Sequence, residues 1–312
     1  EFHRDLALRV IKHGVHIDIE KPLCTNLKEA DEVVAQAQKK GIKIAVHHQG
    51  RVGPYLQTVY KAMQEGRIGE LLYMYTRDKG YYGGLGIMNV ATHKINMMLK
   101  FAGHCRSVSA LALTNGHLII PEDALTSPLG MGTIAGEYIT ATLHFDNNVT
   151  ASLLQHRLPT IDINASVIEF QGTEGRLLYK SNDAAWWLPQ PHYLPNGEHD
   201  AWEALEPIYP ANYDPKTPAR PDEYCYVEEY VQALDQNRDH ECNGSEGLHV
   251  LEVMMGIFES AAYGKRIDLP QADRQHPLLR WRQEQNLAIP NSVLRDKKEW
   301  LVEEDLRLRR IQ

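Results

Sequence analysis

Apolar positions recur at helical spacing over residues 3–13, where Leu6, Val10 and Ile11 share a face and Gly14 stops the turn. Residues 15–19 then read as a strand that passes directly into Glu20-Lys21-Pro22. Asn26, with Glu29 three residues later, forms a capping-box pattern that opens a helix over 27–40. Its inward face is Leu27, Ala30, Val33, Val34 and Ala37, and Gly41 ends it. IKIAV at 42–46 is apolar throughout, as a strand covered on both faces is, and a helix over 54–65 follows. Helix, strand, helix, strand through tight connections predicts the back half of a doubly wound parallel sheet, here residues 1–66.

From residue 70 the period changes to strand-like alternation. Strands are expected at 70–79, 106–114, 133–145, 148–157, 164–171 and 176–181, with one helix, 88–102, inserted after the first. Ile139, Ala141, Leu143 and Phe145 alternate with Tyr138, Thr140, Thr142 and His144, and Asp146-Asn147-Asn148 supplies the hairpin turn. Gly172-Thr173-Glu174-Gly175 links two further strands in the same way. The second domain, 67–270, is therefore expected to be an open, mostly antiparallel sheet with helices on one face. Residues 182–221, with Trp186, Trp187, Trp202 and Tyr213, read as a long loop. Helices are expected at 222–236 and 246–263, and a charged extension, 271–312, ends in a helix from about 294.

Composition narrows the function classes. The 312 residues are 43% apolar and 24% charged, which is ordinary for a globular protein. A formal net charge of −8 with no concentrated basic surface excludes a general nucleic-acid role. No run of 18 apolar residues occurs, so no membrane partner is expected. The four cysteines are scattered without metal or disulfide-framework spacing, and a cytoplasmic location is expected, an export signal lost upstream being the alternative.

The segment MNVATHKINMMLKFA is the most informative for chemistry. Met88, Ala91, Ile95, Met98 and Leu99 fall on one side, while Asn89, His93, Asn96 and Lys100 form a polar stripe. That stripe reads either as a solvated face or, with His93 near a substrate hydroxyl, as the carrier of a general base. The preceding GYYGGLG, 80–86, has glycines that permit close backbone approach to a ligand. Lys21 at a strand end is aimed where α/β proteins bind ligands, or is a surface lysine beside a turn proline. His48 and Arg51 occupy the crevice end of the next strand, and His47-His48 is too weak a pattern to predict zinc. His156-Arg157 ends a strand of the second sheet, either capping a pocket or solvated, and Trp186-Trp187 read as packing rather than a sugar platform.

Taken in order, EKP at 20–22, IGELLYMYTRD at 68–78, the histidine helix, HFDNNVTASL at 144–153, FQGTEGRLLY at 170–179 and NGSEGLHVLEVMMGIFESAAYGKRIDLP at 243–270 resemble the Gfo/Idh/MocA family of glucose-fructose oxidoreductase and inositol dehydrogenase. The resemblance implies a Rossmann-like first domain holding NAD or NADP through Glu20, Lys21, Pro22, His48 and Arg51. It implies an NAD(P)-dependent oxidoreductase acting on a carbohydrate or cyclitol, with Lys21 polarising the reacting oxygen and His93 taking the hydroxyl proton. Asn89, Asn96, Tyr81, Tyr82, His156 and Arg157 are the expected substrate contacts, and the sheet of the second domain the expected homo-oligomer contact. Two departures stand out. Asn89 and Asn96 replace acids often found beside the histidine, and no G-x-G-x-x-G follows an opening strand, so the glycine turn is expected upstream of residue 1. The alternatives are an NAD-dependent glycoside-cleaving enzyme that oxidises transiently and eliminates, with Tyr81, Tyr82 and His156 as extra acid or base, and a non-catalytic sugar-binding or assembly subunit.

Overall fold

The computed structural model describes residues 1–180, 184–189, 202–214, 216–291 and 294–310. Strands Ile17–Ile19 and Ile44–Val46 pair in parallel, Asp18 opposite Ala45, with helices His3–Lys12 and Leu27–Lys39 in sequence around them. Asn26 caps the second helix as its side-chain oxygen accepts from the Glu29 amide at 3.0 Å. Ala30, Val33, Ala45 and Val46 are fully enclosed, which explains why the second strand shows no alternation, while the first leaves Asp18 exposed between Ile17 and Ile19. The chain returns to this unit late. Residues Cys242 and Asn243 run along Ile44–Val46, where the Val46 amide donates to the Cys242 carbonyl at 2.7 Å, so a segment assigned to the second domain completes the edge of the first.

The larger sheet has ten strands among the described residues. Its central part runs Gly175–Lys180, Val167–Gly172, Leu71–Arg77, Thr150–His156, Tyr138–Phe145 and Cys105–Thr114 in spatial order. Every described pairing is antiparallel except Leu71–Arg77 with Thr150–His156. The expected hairpin turn forms at Asp146–Asn148, with Asn147 and Asn148 at positive φ. Ile139, Ala141, Leu143, Leu153, Ile168 and Phe170 face inward and are fully buried, the larger side chains contributing about 1.5–3 kcal/mol each. Helices Thr92–Ala102 and Gly244–Tyr263 cover that face with Ile95, Met98, Met254 and Phe258. The outward positions Thr140, Thr142 and His144 are exposed.

Two expectations change. The long-loop region contains two strands, Ala184–Pro189 and, outside it at the sheet edge, Glu203–Ala204, and Trp187 Nε1 donates to the Arg67 carbonyl at 3.0 Å; residues 182–183, 190–201 and 215 lie outside the described residues. The glycines of 80–86 meet protein rather than a ligand. Gly83 donates to the Glu137 carbonyl at 2.9 Å and Gly84 to the Gly136 carbonyl at 2.8 Å, and a Cβ on either would lie within 3 Å of backbone oxygen.

Candidate active site

The carboxyl ends of the two parallel strands and the first turns of helix Thr92–Ala102 form the site. Lys21 follows the first strand, fixed beside Pro22 across a cis peptide. Its Nζ donates to both the backbone carbonyl and the side-chain oxygen of Asn89, each at 2.7 Å. Burial holds this ammonium below the usual lysine range, against the pull of Glu20. His48 follows the second strand, buried, with its Nε2 sharing a hydrogen bond with Thr92 Oγ1 at 2.8 Å. The His48 and His93 rings meet edge to face, centroids 5.5 Å apart.

His93 stands one turn beyond Asn89. Burial first, and then its neighbours His48, Lys21 and Lys94, keeps its imidazole well below its ordinary pKa. A neutral imidazole is the form that accepts a proton. The same causes, burial and then Lys21 and Arg51, lower His48 to about 3. Lys21 and His93 thus reach Asn89's turn from different structural units, although they border separate cavities of about 210 Å³ each, Lys21 one with Pro22, Thr25 and Met131, His93 the other.

The His93 cavity divides the polar stripe. Residues Ile87–Ala91, which carry Asn89, form a π-turn, and the regular helix Thr92–Ala102 follows it. The face toward the cavity is Val90, His93, Lys94 and Met97, opposed by Tyr179 of the sheet and by Gly50 and Arg220. Asn96 is turned the other way: its carbonyl accepts from Arg51 Nη1 at 3.0 Å and its side-chain oxygen from Cys242 Sγ at 3.7 Å. Lys100 likewise pairs with Glu241 at 2.6 Å. The expected substrate contact at Asn96 is therefore a strut between the two units.

Other expected contacts are also placed elsewhere. Tyr82 is buried against Trp300, ring centroids 5.0 Å apart, and Tyr81 lies under Lys297 Nζ at 3.3 Å, both of them covered by the C-terminal helix Lys297–Arg307. His156 projects from the outward face of the sheet, sharing a 3.0 Å hydrogen bond with Thr140 Oγ1. Arg157 is taken by buried Glu137 and by Asp305 at 2.9 Å, where Arg310 also binds Glu137. Arg51 pairs with Glu246 at 2.8 Å, and Glu20 is exposed. Lys94, Tyr179 and Arg220 were missed. Lys94 adjoins His93 in sequence, but on a regular helical wheel it falls on neither stripe.

The residues fit one end of a dinucleotide. Lys21, Pro22 and His48, whose buried Nδ1 has no hydrogen-bond partner in the described structure, converge at the strand ends beside His93, where a nicotinamide ring and its ribose would be held. The strand-to-helix turn 20–26 contains no glycine, so these residues offer no pyrophosphate cradle. No helix among the described residues is long and apolar enough to cross a membrane.

Comparison with known proteins bears on this arrangement. The family model described as "Oxidoreductase family, NAD-binding Rossmann fold" matches residues 1–48, and that described as "Oxidoreductase family, C-terminal alpha/beta domain" matches 60–269. A 1,5-anhydro-D-fructose reductase of Ensifer adhaerens is 23% identical over 285 residues, 86% of this chain and 77% of the relative. A levoglucosan dehydrogenase of Pseudarthrobacter phenanthrenivorans is 25% identical over 207 residues, 57% of this chain and 52% of the relative. Among solved structures, a levoglucosan dehydrogenase in complex with NADH and levoglucosan superposes with a TM-score of 0.68 at 19% identity, covering 86% of this chain and 78% of the other.

Proposed function

We propose, for a chain that belongs to the Gfo/Idh/MocA family of NAD-binding oxidoreductases, that it oxidises a hydroxyl-bearing carbon of a carbohydrate or cyclitol. NAD or NADP, when bound, accepts the hydride from that carbon. Lys21 presents its ammonium to the substrate oxygen and stabilises negative charge as the alkoxide develops. His93, held neutral, accepts the hydroxyl proton. Asn89 fixes Lys21 in place and, being an amide, leaves that ammonium its full charge. His48, bonded to Thr92, holds the strand end against the helix that carries His93.

The observation that carries this reading is the pair of 2.7 Å bonds from Lys21 to Asn89, which brings a strand-end ammonium to within one helical turn of a desolvated imidazole. The names of the relatives, a reductase and a dehydrogenase of sugar derivatives, support the substrate class. The elimination alternative is less well supported, because Tyr82, Tyr81 and His156 are covered or face away from the cavity. The test incubates the purified protein with NAD⁺ or NADP⁺ and a panel of free sugars, cyclitols and glycosides, following nicotinamide absorbance and released aglycone. Reduced nicotinamide formed one-for-one with a keto product is the expected result. Aglycone release without net reduced cofactor would move the assignment to the elimination chemistry, and neither product would leave a binding role.

A further inference from the structure

The His93 cavity is lined by cations. Lys94 comes from the site helix, Lys79 from the bend just after strand Leu71–Arg77, and Arg220 immediately precedes helix Pro221–Asp235. Three segments distant in sequence each deliver a positive side chain to one space of about 210 Å³. Lys94 is only 3% exposed, with Nζ 5.2 Å from the centre of the Tyr179 ring. Lysine is rarely buried to this degree without an electrostatic reason, because desolvating an ammonium is costly.

Neutral sugars present hydroxyl donors, which are best met by carboxylate or amide acceptors. No carboxylate lines this cavity among the described residues. Acids at its margin are engaged: Asp222 takes Arg220 at 2.7 Å, Asp78 acts electrostatically on Lys94, and Glu223, which accepts from the lining Gln49 at 3.2 Å, is paired with His47 at 2.7 Å. With Glu223 balanced by protonated His47, the three cations Lys79, Lys94 and Arg220 face Asp78 and Asp222 and leave positive charge over, and Lys21 adds to it from the other side of Asn89. Burial, opposed by Asp78 and reinforced by Lys79, lowers Lys94 to about 8, so it remains largely charged near neutral pH.

We propose that this cavity selects an anionic carbohydrate, one bearing a carboxylate or phosphate group, and that Lys94 and Arg220 are the residues that read its charge. The inference rests on the reading of the site as a sugar oxidoreductase but is tested apart from it. Charge-assisted hydrogen bonds from a buried ammonium and a guanidinium are strong and suit an oxyanion.

Binding is measured first, by thermal shift and calorimetry on the full chain with gluconate, glucuronate, glucose 6-phosphate, inorganic phosphate and neutral glucose. The acids are expected to bind at least about tenfold more tightly than glucose, an advantage that Lys94→Met and Arg220→Gln each reduce by about tenfold. Arg220 is largely exposed, its side chain at 61%, so its variant keeps the fold if Lys94→Met does not. A response to the sugar acids but not to glucose 6-phosphate assigns a carboxylate; the reverse assigns a phosphate. Inorganic phosphate matching the sugars would reduce the site to a simple anion site and overturn the proposal. Equal binding of glucose and the acids, or an advantage that survives both variants, would also overturn it. Turnover with NAD⁺ is then compared across the same compounds: absence of oxidation in all of them defeats the oxidoreductase reading while the binding result stands.

Discussion

Lys21 Nζ and the two oxygens of Asn89 are each 2.7 Å apart, and this contact ties the end of the first parallel strand to the opening turn of the histidine helix. Because Asn89 contributes no charge, the ammonium is positioned without being neutralised. Lys21→Met is expected to lower kcat by about 10²-fold or more, with a smaller effect on KM, since charge on oxygen develops chiefly in the transition state. Steady-state kinetics with the best substrate of the panel decide it, and far-ultraviolet circular dichroism checks the fold. A purely structural Lys21 would alter stability and leave kcat within severalfold.

His93 gives a pH signature. Burial, with His48, Lys21 and Lys94 as neighbours, moves its pKa down from 6.5, so the base form persists as pH falls below that value. The acid limb of kcat/KM is expected to have its midpoint below 6.5, and His93→Asn to cost about 10²- to 10⁴-fold and remove that limb. The residual activity of Lys21→Met should show the limb displaced upward, because one of the charges that disfavours imidazolium has gone. A limb that stays in place in Lys21→Met would show that the two groups do not act on each other.

Residues with regular periodicity were legible in the sequence, and residues whose placement depends on tertiary packing were not. Leu27, Ala30, Val33, Val34 and Ala37 face inward as their spacing requires, and Ile139, Ala141, Leu143 and Phe145 alternate inward as read. The EKP order and the histidine helix carried the family, because both lie at element ends whose position the topology fixes. Asn96 and Lys94 exchanged roles for a physical reason: at about 100° per residue Lys94 and Met97 lie to one side of His93 and Asn96 and Lys100 to the other, and which side meets the cavity is decided by tertiary packing that no local pattern marks. Tyr82 and Tyr81 were read as substrate contacts because they precede the histidine helix in sequence, and Arg157 because it ends a strand of the second sheet. The C-terminal helix that covers them lies more than 130 residues away in the chain, a distance over which local pattern carries no information.

That helix supports the glycine turn before His93. Trp300 is 1% exposed against Tyr82, and the Gly83 and Gly84 amides donate to the strand behind it. Trp300→Ala is expected to cost about 3–5 kcal/mol in chemical denaturation, through lost burial and the cavity left behind. Tyr82→Phe should be nearly neutral or slightly stabilising, because the buried Tyr82 hydroxyl has no hydrogen-bond partner in the described structure. A large loss from Tyr82→Phe would mean the hydroxyl is satisfied in solution.

His47 predicts how stability depends on pH. Its ring lies between Asp18, at 3.3 Å, and Glu223, at 2.7 Å, joining helix Pro221–Asp235 to the strand ends. The Asp18 hydrogen bond, opposed by burial and aided by Glu223, raises His47 from 6.5 to about 9. A group whose folded pKa lies above its unfolded value contributes stability that is complete below the unfolded value and is lost as pH rises through the folded one. The His47 contribution should therefore be full below pH 6.5 and gone above about 9. Lys94, lowered to about 8 by burial, works in the opposite sense over pH 8 to 10.5, so the wild-type curve alone is ambiguous. The difference between wild type and His47→Gln cancels the Lys94 part. Urea denaturation midpoints at pH 6 and pH 9.5 are expected to show a gap between the two proteins at the lower pH that closes at the higher. A gap of equal size at both would assign His47 a packing role against Tyr226, its ring neighbour at 4.2 Å, in place of the ionic one.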